Sequence, residues 1–179
     1  KGNQAHAEYL EQMAGKFFDL LQKYHGLGER ERLLLRLAAI LHDCGKFISM
    51  SAPGECAYQI IMSTEILGIS HMEREMVASI VRYNTMELPN FNEFDGKLGN
   101  DEYLIVMKLA AILRVCNALD RSHRQKFADM RLTIKDSNIV ITTAYPDNIT
   151  LEKKTLQDKQ DFFEEVYGLG FEIKQKKKK

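Results

Sequence analysis

The sequence contains no C-x-x-C pair, and its three cysteines, Cys44, Cys56 and Cys116, are too few and too scattered for a disulfide framework or a zinc ribbon. A reducing compartment, the cytoplasm, fits that usage. No apolar run reaches the roughly 18 residues of a membrane span, and the opening Lys-Gly-Asn-Gln-Ala-His lacks the apolar stretch of a secretion signal. An initiator methionine is also missing, so the chain reads as a piece cut from a longer one. Nor is there an excess of charge: 25 Lys and Arg balance 25 Asp and Glu. Five of those lysines, Lys174 and Lys176 to Lys179, crowd the last six residues and leave the body at a net −5. An acidic body argues against nucleic-acid binding, which needs a basic surface to neutralise phosphates. The lysine run itself reads as a solvated tail.

What is present is the composition of a globular domain, 45% hydrophobic and 28% charged over 179 residues, with enough chain for one good core. Leu10, Met13, Phe17, Leu20 or Leu21 and Tyr24 recur at steps of three and four, predicting a helix from Asn3 to Tyr24 whose buried stripe His6 extends. A second helix is expected from about Glu31 to His42 and Asp43, stopped by Gly45. A third is expected over Ala57 to Leu67 ahead of Gly68, and a fourth opens at Ser70 and Glu73, a capping box. Pro89 to Asn100 reads as a surface loop. A long helix follows, with Ile105, Leu109, Ile112, Cys116 and Leu119 on one stripe and Asp120 flanking it. After Met130 the pattern changes: Leu132, Ile134, Ile139 and Ile141 alternate with polar residues about Asp136, Ser137 and Asn138, as in a hairpin. Leu151 to Tyr167 returns to helix, and Phe171 and Ile173 suit a last strand. The expected fold is mainly α, a helical bundle over residues 1–130 followed by a small α/β subdomain over 131–175 and the tail 176–179.

Four ionisable residues continue the buried stripes: His6, His42 with Asp43, and Asp120. Buried carboxylates near histidines call for a counter-charge. One divalent cation supplies it, and imidazole with carboxylate suits Mn, Fe, Zn or Ni, and Mg less well. Lys46, a turn beyond His42, is placed to neutralise a substrate phosphate. His25, beside Gly26 at a helix end, and His71 and His123, in polar surroundings, read as surface residues. Arg82, Arg114, Arg121, Arg124 and Lys126 are the cations suited to phosphate contact, since arginine forks match phosphate oxygens.

The run Leu-Ala-Ala-Ile-Leu-His42-Asp43-Cys-Gly-Lys46, preceded by His6 and followed by Asp120, resembles the HD superfamily of metal-dependent phosphohydrolases. Flanking segments narrow the likeness: His6-Ala-Glu-Tyr-Leu, Phe17-Phe18-Asp19-Leu20, Phe47-Ile48-Ser49, Tyr58-Gln59-Ile60-Ile61, Val81-Arg82-Tyr83 and Ala118-Leu119-Asp120-Arg121-Ser122-His123. These look like the C-terminal region of the exopolyphosphatase and guanosine pentaphosphate phosphatase (Ppx/GppA) family. The resemblance implies a larger enzyme that removes terminal phosphates from polyphosphate or a guanosine alarmone, with its active site in an N-terminal actin-like region. The glycine-rich phosphate loops of that region are absent here, so this piece alone is expected to be weak or inactive. The resemblance also implies one metal at His6, His42, Asp43 and Asp120, a passage for a polyanionic substrate and a homodimer contact. Cys56 and Asn84 stand where the family usually carries histidine, which argues against a second metal. Two other functions fit the same residues: a self-standing nucleotide phosphohydrolase, and a non-catalytic dimerisation module with a vestigial site.

Overall fold

The computed structural model describes residues 4–94 and 97–176. Helix α1, Gln4–Leu20, buries Tyr9, Leu10, Met13, Ala14, Phe17 and Phe18 along the predicted stripe. Burying a side chain such as Phe17 or Leu10 stabilises the fold by about 2 to 3 kcal/mol. The helix breaks at Leu21, and the short α2, Gln22–His25, ends at Gly26, whose φ of 65° suits glycine. Asn3 and Lys177 to Lys179, named above for the first helix and the tail, lie outside the described residues.

Helix α3, Glu29–Leu41, starts two residues earlier than the pattern suggested, because the Glu31 carboxylate reaches back 2.8 Å to the Gly28 N–H. It ends at Leu41, before Gly45. His42 and Asp43 form a turn, and Cys44–Phe47 is a single turn of 3-10 helix with Gly45 buried inside it. Gly45 is there for space: a Cβ would run into the backbone of Pro53 and Ala57.

Helix α4 spans Pro53–Met62 rather than Ala57 to Leu67. Pro53 at the first helical position sets the early start. Thr64, folded back to bond the Ile60 carbonyl, marks the early end, and leaves Leu67 exposed. The capping box holds: the Glu73 N–H donates to Ser70 Oγ at 3.2 Å, and the Ser70 N–H to Glu73 Oε2 at 2.7 Å. It opens α5, His71–Thr85. Helix α6, Asn100–Leu119, packs against α1, α3 and α5. No helix among the described residues is long and apolar enough to cross a membrane.

The C-terminal portion is β1, Arg131–Lys135, and β2, Asn138–Thr143, then helix α7, Thr150–Tyr167, and β3, Gly170–Gln175. Leu132 pairs with Ile141 and Ile134 with Ile139 across an antiparallel hairpin. Asp136 and Ser137, both at positive φ, make its two-residue turn. β3 joins the other edge of β2 in parallel, so the order is β1-β2-β3. α7 lies against α6, and one apolar core runs from Leu10 and Phe17 through Leu119 to Ile139, Ile141 and Phe163.

Lys126 and Glu152 fasten the segment after α6 to α7: the ammonium lies 2.9 Å from Glu152 Oε2 and 2.8 Å from the Asn148 carbonyl, and both residues are buried. Removing one partner of such a pair leaves a buried charge uncompensated. Lys126→Ala should cost about 3 to 5 kcal/mol in chemical denaturation. A loss below about 1 kcal/mol, the scale of a surface pair, would show that the pair does not hold these elements together.

Candidate metal centre

Helix packing gathers the predicted residues. α1 lies on both α3 and α6, so His6 in its first turns meets the end of α3, where His42 and Asp43 sit, and the end of α6, where Asp120 caps the helix. His6, His42 and Asp120 are buried at 2%, 6% and 1% exposure, whereas Asp43 is half-buried at the mouth.

The His42 ring is tied by its own helix. Its Nδ1–H donates to the Ala39 carbonyl at 2.7 Å, which leaves Nε2 as the lone-pair nitrogen. That Nε2 is buried, makes no hydrogen bond, and lies 3.2 Å from Asp43 Oδ1. Burial holds the imidazole below the ordinary histidine range, against the pull of Asp43. The Asp43 carboxyl lies below its usual value despite the upward push of burial, with the Lys46 ammonium hydrogen-bonded to it. Two acceptors therefore face each other, a neutral imidazole nitrogen and a carboxylate oxygen. Lys46 Nζ, 2.6 Å from the same Asp43 oxygen, supplies the positive charge.

Donor atoms of His6, His42 and Asp43 all lie within 4.8 Å of one another. Donors bound at about 2.1 Å to one ion sit about 3 to 4 Å apart, so small adjustments would let all three reach a common cation. Asp120 is not in that group. Its Oδ2 is 2.6 Å from His6 Nδ1, and its Oδ1 accepts the Gln125 N–H at 2.8 Å. The carboxylate thus holds the edge of the His6 ring, the arrangement that orients an imidazole ligand through its second nitrogen.

One histidine sits otherwise than the sequence suggested, and a second makes a contact the sequence did not suggest. His25 is buried, not exposed: Nε2–H donates to the Phe18 carbonyl at 2.8 Å and Nδ1 accepts the Leu27 N–H at 2.9 Å, with Phe18 packed on the ring. Both nitrogens are used, away from the site. His123 is solvent-exposed as expected, yet its ring stacks on His6 with centroids 3.8 Å apart and planes 12° from parallel. His6 in turn meets the His42 ring edge-on at 5.0 Å. His123 and Gln125 both adopt positive φ, which costs a non-glycine residue about 1 to 2 kcal/mol. The one sequence signal for His123 is its place three residues past Asp120.

The five candidate phosphate contacts do not form one cluster. Arg82 is bound by Glu55 at 2.6 Å and lies over the Tyr58 and Tyr83 rings. Arg114 donates to the Tyr83 and Met86 carbonyls and covers Phe162. Lys126 is committed to Glu152. Arg121 and Arg124 are exposed, and Arg124 borders a shallow cavity with Lys126, Tyr145 and Asn148.

Burial lowers the proton affinity of both His42 and His25, so near pH 6 the unfolded chain binds protons that the folded chain refuses. Their neutral forms support the fold fully above about pH 6.5, and that support is lost as pH falls. Ring-proton titration by NMR should place both midpoints below about 6.5. A His42 midpoint at or above that value would contradict the neutral, lone-pair assignment.

No curated protein matches the sequence. The family profile described as Ppx/GppA phosphatase, domain III, matches residues 2–161, which takes in every element of the site and all of α1 to α6. The chain belongs to the Ppx/GppA phosphatase family, as its domain III.

Proposed function

We propose that this chain is the C-terminal, HD-type part of an exopolyphosphatase-like phosphohydrolase, and that it holds one divalent metal ion and helps to bind polyphosphate or a guanosine alarmone. The observation that carries the metal reading is the pair of facing acceptors, His42 Nε2 and Asp43 Oδ1, at 3.2 Å. With Nδ1–H given to Ala39 and the imidazole held neutral by burial, Nε2 has no hydrogen for that oxygen, and a cation between the two acceptors would satisfy both.

The residues fit such an ion. Two imidazoles and a carboxylate favour Mn, Fe, Zn or Ni over Mg. Asp120 holds one nitrogen of the His6 ring and the Ala39 carbonyl one of His42, and Asp43 brings the negative charge. When bound, the metal supplies Lewis acidity toward a phosphoryl oxygen. Lys46 at the opening would then exchange Asp43 for a phosphate of the substrate, and Arg121 and Arg124 are exposed for further contacts on a polyanion. The actin-like phosphatase region and a second copy of the chain are the partners that this reading implies.

One observation favours a second reading, a metal-free dimerisation or docking module. The Lys46–Asp43 ion pair already neutralises the carboxylate and closes the mouth. Titration with Mn²⁺ separates the two. By isothermal calorimetry the chain should take up one ion, and at a hundredfold excess over Kd the ion should add about 2.7 kcal/mol and raise Tm by about 5 to 10 °C. Asp43→Asn should abolish the shift. No uptake of Mn²⁺, Zn²⁺ or Fe²⁺ would favour the metal-free module.

Supplied with polyphosphate and Mn²⁺, this chain alone should release little or no phosphate. Rapid chain-shortening that Asp43→Asn abolishes would instead make it a hydrolase in its own right.

A further inference from the structure

His6 sits in the opening turns of α1, where the first N–H groups have no partner within the helix. An imidazole there has two side-chain torsions to fix. The Asp120 hydrogen bond constrains its edge. His123 lies flat on its face, at 3.8 Å and 12°, and opposes rotation of the ring plane about that edge.

Both constraints come from the single turn that follows α6. The His123 N–H donates to the Asp120 carbonyl at 2.9 Å, the Gln125 N–H to Asp120 Oδ1 at 2.8 Å, and the Gln125 side chain to the Ala5 carbonyl at 3.2 Å, beside His6 itself. The positive φ at His123 and Gln125 is what turns the chain back to bring the ring onto His6. A face-on stack offers His6 a ring face and not a nitrogen, so the contact does not need His123 as a ligand.

We infer that His123 is a positioning residue of the metal site: its ring clamps His6 so that the nitrogen not held by Asp120 is presented to His42 and Asp43. This rests on the metal reading above. Exposure alone conceals the role, because the outer face of the ring meets solvent while the inner face lies on His6.

The test compares Mn²⁺ affinity by calorimetry in the unmodified chain, His123→Ala and His123→Phe. Both variants keep a Cβ at the same positive φ, so the comparison isolates the ring. Loss of an orienting partner of a metal ligand weakens binding by about 10- to 100-fold, and His123→Ala should fall in that range. His123→Phe, which keeps the stack and lacks nitrogens, should restore affinity to within about threefold of the unmodified chain, by the volume-conserving logic of ring for ring. Equal losses in both variants would mean that His123 acts through its nitrogens, and an unweakened His123→Ala would mean that the stack does nothing; either overturns the inference while leaving the metal site standing. An unmodified chain that takes up no Mn²⁺ overturns both.

Discussion

A 2.6 Å hydrogen bond between His6 and Asp120, residues 114 apart in sequence, joins the beginning of the first helix to the end of the long sixth one. Both groups are buried, so the bond works where water does not compete, and losing either partner would strand the other. Its position matters more than its strength. It lies at the point where α3 ends and sets the His6 imidazole beside His42 and Asp43. The apolar stripes of α1 and α6 bring the two helices together; this one polar contact fixes their register at the site.

The electrostatics of the pocket are balanced rather than settled. Burial keeps His42 neutral against the pull of Asp43 and of its bond to Ala39, and the Lys46 ammonium sits on the Asp43 carboxylate. Lys46 can turn toward Asp43 or away from it because its side chain is partly exposed, whereas the histidines cannot move without disturbing the core. A small mobile cation on a flexible stem therefore faces rigid donors. The division is between a fixed buried donor set and a partly exposed counter-charge on Asp43.

Much of this was legible in the sequence because it is local. The capping box of Ser70 and Glu73, the hairpin turn at Asp136 and Ser137, and the three- and four-residue spacing of α6 each follow from neighbours within a few positions. His6, His42, Asp43 and Asp120 could be picked out because each lies on or beside an apolar stripe, and the family likeness agrees with the match over residues 2–161. What escaped depends on contacts between distant segments. His25 stands at a helix end and beside glycine, yet Phe18 folds over it. Lys126 resembles any surface lysine until α7 delivers Glu152 to it. His123 required a backbone conformation that no residue type in Arg-Ser-His-Arg-Gln announces, and the boundaries of α4 turned on Pro53, which starts helices more readily than it continues them.

The claim on which the functional account stands is that His6, His42 and Asp43 share one cation. Anomalous X-ray scattering from crystals grown with Mn²⁺ locates it directly. The account predicts a single peak bounded by the two imidazoles and the Asp43 carboxylate, with the Lys46 ammonium turned away from Asp43. A map without a peak there, and with Lys46 still on Asp43, would contradict it.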